Sequence, residues 1–171
     1  MTIPAVNPVS GLLPQGIHPA NLAEIEVAFV QNAPFPAERE RLFGTMVAYV
    51  DIIWDRFPSA RILLNGGFVT HKTWAAPEDV DFAIGLTSKE FRSTKLPHNI
   101  SLWTQGNVSM EGPEALNYTK IQPMGGHIDG YFFPNALTNM VRYWEDHWGK
   151  VKGPDGKEII GARKGYLEVT P

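Results

Sequence analysis

The most informative part of this chain is Leu64-Asn65-Gly66-Gly67-Phe68-Val69-Thr70, followed by Asp79-Val80-Asp81-Phe82. In the first segment two adjacent glycines end an apolar run, and in the second two carboxylates sit two residues apart inside the next apolar run. Because a β-strand alternates its faces with a period of 2, Asp79 and Asp81 are expected on one face of one strand. Like charges at that separation repel, and an apolar strand is a costly place for them unless a cation lies between them.

The two segments together predict a site for a metal ion and a nucleotide. Mg²⁺ takes oxygen ligands, often one or two carboxylates together with phosphate oxygens. Because Gly66 and Gly67 have no side chains, a phosphate can approach their backbone closely. Thr70 is expected at a helix start, where it either meets a phosphate or only caps the helix. Lys72 either neutralises part of a triphosphate or is solvated. Gly66, Gly67, Thr70 and Lys72 are therefore the candidate nucleotide-binding residues.

This pair of segments resembles the signature of the nucleotidyltransferase superfamily, which has the polymerase-beta-like fold. Its members carry a Gly-Gly or Gly-Ser pair after an apolar residue, and an acid-apolar-acid-apolar run a short interval later. In this chain eleven residues, 68 to 78, separate the two parts. The superfamily usually has a third carboxylate on a later strand, and Asp129 in the run His127-Ile128-Asp129-Gly130-Tyr131-Phe132-Phe133 is the candidate for it.

Beyond this motif, the sequence of the chain also resembles a small, poorly characterised family of such proteins from bacteria and their phages. The segments that carry this second resemblance are Gly67-Phe68-Val69-Thr70, Pro77-Glu78-Asp79-Val80-Asp81 and Arg163-Lys164-Gly165-Tyr166-Leu167.

The resemblance implies a specific reaction and specific roles for the acids. A nucleoside monophosphate would be transferred from a nucleoside triphosphate such as ATP to a hydroxyl of a protein, RNA or small-molecule acceptor. Two Mg²⁺ ions, roughly 4 Å apart, would clamp the attacking and leaving oxygens. Asp79 and Asp81 would bridge the two ions, and Asp129 would hold the first ion and orient or deprotonate the acceptor. Asp79, Asp81 and Asp129 are thus the expected catalytic and metal-binding residues.

Other interpretations of the same residues stay open. Asp79 and Asp81 could lie on a solvated edge strand whose opposite face is apolar, and Asp129 could be a turn or edge acid beside Gly130. The fold could also serve as a catalytically inactive binding module, such as a phage or toxin-antitoxin-type factor that engages a host protein. Four tryptophans would then be interface anchors, namely Trp74, Trp103, Trp144 and Trp148. A metal-dependent phosphatase or nuclease could use the same acids.

Composition and charge narrow these classes. A chain of 171 residues with 43% hydrophobic residues is one folded domain by length. Its formal net charge of −3 argues against binding of duplex nucleic acid as the main function. A protein or a small-molecule acceptor is therefore favoured over nucleic acid. The absence of cysteine excludes disulfides, thiolate metal sites and cysteine nucleophiles. No secretory signal is evident at Met1-Thr2-Ile3-Pro4, and no apolar run is long enough for a membrane span. A cytoplasmic location is therefore expected.

The expected fold class is α+β, a nucleotidyltransferase-like mixed β-sheet packed by helices, with a C-terminal β-hairpin. Residues 1–20 are expected to form an extended N-terminal arm, because they are rich in proline and lack periodicity. Residues 21–171 are expected to form a single nucleotidyltransferase-like domain. The basic residues near the carboxyl terminus, including Lys164, are expected in a solvated hairpin rather than in a basic patch.

Individual elements follow from spacing and capping residues. Asn21 and Glu24 have the spacing of a capping box at a helix start. Apolar residues at steps of three and four predict a long helix from Pro36 to Phe57, and Asn135 is expected to cap a later helix. Strands are expected over 61–65, 80–86 and 126–133. The hairpin is expected to pair Ile159-Ile160 with Tyr166-Leu167-Glu168-Val169, beside turn residues 153–156.

Overall fold

The computed structural model describes residues 3–110 and 116–171, so the first two residues of the predicted arm lie outside the described part. Within these residues the chain forms an α+β fold with a five-stranded mixed sheet and two small two-stranded sheets. The strands are β1 Ile17–Ala20, β2 Arg61–Asn65, β3 Val80–Leu86, β4 Gln105–Met110, β5 Leu116–Ile121, β6 Ile128–Pro134, β7 Lys150–Lys152, β8 Glu158–Arg163 and β9 Tyr166–Val169. The α-helices are α1 Leu22–Glu26, α2 Pro36–Arg56, α3 Ser88–Ser93 and α4 Thr138–Gly149.

Short turns of other helix types join these elements. A π-helical turn, Val27–Gln31, continues α1, and two 3₁₀ turns lie at Ile100–Leu102 and Met124–Gly126. In the described part of the chain, no helix is both long enough and apolar enough to cross a membrane.

The order of strands in the large sheet is β1-β9-β2-β3-β6. β1 is parallel to β9, β2 is antiparallel to both β9 and β3, and β3 is parallel to β6. β3 is therefore an interior strand. The alternative that Asp79 and Asp81 belong to a solvated edge strand is wrong, because β2 and β6 cover both edges of β3.

The large sheet is covered on both faces, as its nearly continuous apolar strands require. On one face, the side chains of Ile62, Phe82 and Ile84 pack in the main core together with buried residues of α2. On the other face, Leu63 and Ala83 pack in a second core cluster with Trp144 and Trp148 of α4. Trp144 and Trp148 are thus buried, and the suggestion that they are exposed interface anchors is wrong, whereas Trp74 is 52% exposed.

Local signals in the sequence explain where several elements begin. The capping box at α1 forms as expected, because the Asn21 side chain accepts from the Glu24 amide and the Glu24 carboxylate accepts from the Asn21 amide. α2 begins at Pro36, a position where proline costs no hydrogen bond. β2 and β3 have the predicted bounds.

The region around the later helix differs from the sequence prediction. α4 begins at Thr138, and Asn135 does not cap it. The Asn135 side chain instead lies against Gly85, where a Cβ atom would overlap its amide oxygen. Tertiary packing against β3 therefore replaces the local capping role that the sequence suggested.

The carboxyl-terminal strands also pair differently from the prediction. The turn residues 153–156 join β7 to β8 in an antiparallel pair. β9, which was expected to pair with Ile159-Ile160, instead inserts between β1 and β2 in the large sheet. The reason is burial: Tyr166, Leu167 and Val169 are buried in that sheet, whereas Ile160 is 91% exposed on β8. Residues 17–20 of the predicted arm are extended and form the parallel partner of β9.

One fully buried arginine ties α2 to the loop after the glycine pair. Arg39 donates to four backbone carbonyls through its three guanidinium nitrogens, at distances of 2.6 to 3.0 Å. The acceptors are the carbonyl oxygens of Phe29, Pro34, Phe68 and Thr70. Burial lowers the pKa of Arg39 to about 10. This side chain fixes the path of residues 68–70 by backbone contacts alone.

Candidate functional site

The sheet places three oxygen-bearing side chains in one row. Asn65 at the end of β2 is in register with Asp81 on β3, and Asp81 is in register with Asp129 on β6. Neighbouring strands lie about 4.8 Å apart, and in-register residues point to the same face. The row therefore crosses three strands at one end of the sheet, with Asp79 directly before β3.

The row lies on the face of the sheet that α4 covers. Asn65 and Asp81 are each two residues from a member of the second core cluster, Leu63 and Ala83 respectively. The Asn65 side-chain amide donates to the carbonyl oxygen of Trp148 at 2.7 Å, which links the row to the end of α4. The row thus lies beside the carboxyl-terminal end of α4.

Gly66 is required by the position of the Asp81 carboxylate. A Cβ atom at Gly66 would overlap that carboxylate, and Gly66 has a φ of +76°, in the left-handed region that favours glycine. The first glycine of the pair therefore makes room for the acid as well as turning the chain. This contact brings the two halves of the sequence motif together in space.

Two of the acids have protein partners. The Asp129 carboxylate accepts from the Thr104 hydroxyl and from the Lys120 ammonium, both at 2.7 Å. The Asp79 carboxylate accepts from the Gln122 amide at 2.7 Å, and Lys120 Nζ lies 4.0 Å from Asp79 Oδ2. Thr104, Lys120 and Gln122 lie on or beside β4 and β5. This small sheet therefore lies against Asp79 and Asp129.

Asp81 differs from its two neighbours. Its carboxylate makes no hydrogen bond or ion pair within residues 3–110 and 116–171. Burial, followed by the charges of Asp79 and Asp129, raises the pKa of Asp81 to about 6. Lys164 and Lys120 act in the opposite direction. Asp81 is thus the acid whose ionised form the fold compensates least.

The raised pKa of Asp81 predicts a pH-dependent stability. A carboxyl with a folded pKa of about 6 and an ordinary value of 3.8 binds more protons in the folded state between these values. Stability from this group is full below about pH 3.8 and is lost as the pH rises through 6. Asp81→Asn should therefore raise the free energy of unfolding at pH 7 by about 1 to 3 kcal/mol, and by much less at pH 4.

Urea denaturation at pH 4 and pH 7, with a chelator present, measures this difference. Asp51→Asn, at an exposed acid of α2, is the matched control and should change stability little at either pH. An Asp81→Asn variant that is less stable than the wild type at pH 7 would contradict the electrostatic origin of the effect.

Lys164 is a buried cation that approaches the site from the carboxyl-terminal segment. Its ammonium donates to the carbonyl oxygen of Gly66 at 3.0 Å. Burial lowers the pKa of Lys164 to about 8, and the negative charge of Asp81 partly opposes that effect. The expectation that this lysine is solvated in a hairpin is therefore wrong, because β9 carries the chain back into the large sheet.

The remaining predicted nucleotide-binding residues surround the glycine turn. Thr70 begins no helix; its hydroxyl donates to the Gly67 carbonyl at 2.8 Å. Lys72 is partly buried and makes no hydrogen bond or ion pair with the described residues. A Cβ atom at Gly67 would lie 3.1 Å from Lys72 Nζ, so the ammonium lies against this glycine. Gly66, Gly67 and Lys72 thus come together, and Thr70 stabilises their turn.

Sequence reasoning missed four residues that shape the site. Asn65 was visible beside the glycine pair, and its register with Asp81 gives it a place in the row. The other three are Thr104, Lys120 and Gln122, which lie far along the chain in segments with weak strand signals. Only the pairing of β4 with β5, beside β6, brings them to the acids.

The fold and this row of side chains define an α+β protein with a candidate site at the strand ends of a mixed sheet. The chain belongs to a family of unknown function (DUF6932), whose family model matches residues 4–170. Neither the curated proteins nor the solved structures contain a match to the chain.

Proposed function

We propose that this protein is a Mg²⁺-dependent nucleotidyltransferase that moves a nucleoside monophosphate from a triphosphate to an acceptor hydroxyl. The observation that carries the proposal is the contact between Gly66 and Asp81, with Asp129 in register on the next strand. It joins a bare glycine turn to two acids on adjacent strands. Lys72 and Lys164, which lie at the same turn, add positive charge where phosphates would lie.

The residues fit a divalent cation at one end of the row. The Asp81 carboxylate makes no hydrogen bond or ion pair with the described residues, and the buried Asn65 Oδ1 likewise has no hydrogen-bond partner there. Both atoms are the hard oxygen donors that Mg²⁺ prefers. However, within the described ranges no group of three or more His, Cys, Asp or Glu side chains could hold a metal ion. A divalent cation at this site would therefore need the amide oxygen of Asn65 as a ligand in addition to the carboxylates.

The proposed chemistry is an in-line displacement at the α-phosphorus. The acceptor oxygen forms a bond to this phosphorus, the bond to the β-phosphate bridging oxygen breaks, and pyrophosphate leaves with that electron pair. When bound, Mg²⁺ would stabilise charge on the transferred phosphoryl group. Asp129 orients the acceptor hydroxyl and accepts its proton. Gly66 and Gly67 let the phosphates approach, and Lys72 neutralises part of their charge.

The double substitution Asp79→Asn with Asp81→Asn tests the proposed binding. It should abolish Mg²⁺-dependent nucleotide binding and leave the fold intact, because both carboxylate charges are lost while side-chain shape is kept. Isothermal titration of Mg²⁺-ATP and the other three Mg²⁺-nucleotides measures the loss, and circular dichroism checks the fold. The control is the exposed pair Asp51→Asn with Asp55→Asn on α2. Unchanged nucleotide binding by the site variant would refute the proposal.

A second candidate is a binding module of the same fold that has lost turnover. It is favoured by the protein partners of Asp79 and Asp129, because acids paired with Lys120 and Gln122 are less available to metal ions. Incubation with α-labelled nucleotides, Mg²⁺ and a cell extract separates the two. Transfer of label to a protein or small molecule supports the enzyme, whereas binding without transfer supports the module. Release of phosphate without pyrophosphate would indicate a phosphatase instead.

A further inference from the structure

The row of acids has two ends: a closed end, where the carboxylates have protein partners, and an open end, where the carboxylate has no hydrogen bond or ion pair with the described residues. At the closed end, the ammonium of Lys120 lies 2.7 Å from Asp129 Oδ2 and 4.0 Å from Asp79 Oδ2. At the open end, Asp81 makes no hydrogen bond or ion pair with the described residues, and Asn65 Oδ1 is buried without a hydrogen-bond partner there. A positive charge thus already lies between two of the three acids, whereas the third acid makes no ion pair with the described residues and has only the more distant charges of Lys164 and Lys120 to offset its own.

The charges around the row favour one additional divalent cation over two. The three carboxylates and the two ammonium groups that act on Asp81, those of Lys120 and Lys164, leave one negative charge in excess when all five groups are ionised. The ammonium of Lys72, which lies against Gly67, adds a further positive charge at the glycine turn. One divalent cation reverses this excess to a single positive charge. Two such ions would leave three positive charges in a partly buried site, which is costly unless an anion neutralises them.

We propose that Lys120 is the second cation of this site. One divalent metal ion binds at the open end, at Asp81 and Asn65, and the Lys120 ammonium takes the place of the other ion between Asp79 and Asp129. This inference rests on the proposed nucleotidyl transfer and replaces the two-ion arrangement expected from the sequence. Lys120 is suited to the role because β5 delivers it directly to the acids, while its side chain stays 38% exposed.

The stoichiometry of Mn²⁺ binding tests the proposal. Mn²⁺ alone is titrated into each protein, and the free ion is followed by electron paramagnetic resonance. The wild type should bind one ion. Lys120→Met should bind two, because the vacated position between the carboxylates becomes a second metal site. Lys120→Arg keeps the charge and should bind one ion, as should the control Lys95→Met at an exposed lysine.

Each outcome decides for or against the role of Lys120. A wild-type stoichiometry other than one, or a single ion in Lys120→Met with intact circular dichroism, overturns the inference. Two ions in the wild type would leave the proposed nucleotidyl transfer standing. An absence of Mn²⁺ binding in both proteins would contradict the nucleotidyl transfer as well. A merely structural role for Lys120 would change stability and leave the number of bound ions unchanged.

Discussion

Gly66→Ala is expected to lower the free energy of unfolding by about 2 to 5 kcal/mol and to abolish binding at the site. Two effects add at this position. The φ of +76° is strained for any residue with a Cβ atom, and the new methyl group would overlap the Asp81 carboxylate. Because Gly66 and Asp81 lie on neighbouring strand ends, relief requires a shift of the acid or of the turn. Urea denaturation and nucleotide titration measure the two losses.

Gly156→Ala is a matched control for this substitution. Gly156 has the same φ of +76°, but an added Cβ atom there would meet no atom within 4 Å. It should therefore cost only the backbone strain, about 1 to 2 kcal/mol. In the double variant Gly66→Ala with Asp81→Ala, most of the steric cost should disappear. If Gly66→Ala costs no more than Gly156→Ala, the Asp81 carboxylate does not fill the space above the glycine.

Arg39→Met is expected to have the largest effect on stability, a loss of about 3 to 5 kcal/mol. The arginine is fully buried, and its removal would leave four backbone carbonyls without their donor. A buried polar group that is left without a hydrogen bond destabilises the fold by more than a formed hydrogen bond stabilises it. Since two of these carbonyls belong to Phe68 and Thr70, the loop after the glycine pair should loosen at the same time.

The control for Arg39 lies two residues away on the same helix. Arg41→Met removes the same charge from an exposed position and should change stability by less than about 0.5 kcal/mol. Arg39→Lys should recover only part of the loss, because an ammonium cannot reproduce the planar fork of the guanidinium. Chemical denaturation of the three variants measures these differences. Equal stabilities of Arg39→Met and Arg41→Met would show that the carbonyls find other donors.

Strong local signals were sufficient for much of the secondary structure. The capping box at Asn21, the long periodic helix from Pro36 and the apolar runs of β2 and β3 all lie where the sequence predicts them. These elements follow from forces between residues close in the chain. The placement of β9 in the large sheet could not be predicted, because the sequence of a short apolar strand does not specify which strand it pairs with. The same limit applies to Asn135, whose capping signal was overridden by packing against Gly85.

Three parts of the candidate site can be read directly from the amino-acid sequence: the glycine pair, the alternating acids and the later Asp129. Only the fold places Asp81 over Gly66, in register with Asn65 and Asp129, since register depends on strand pairing between distant segments. It also decided that Lys120 and Lys164 reach the acids. The sequence shows that a lysine is charged, but it does not show which acid the lysine contacts. Tertiary packing decides this, because an ammonium or a carboxylate that loses its solvation without gaining a partner is costly.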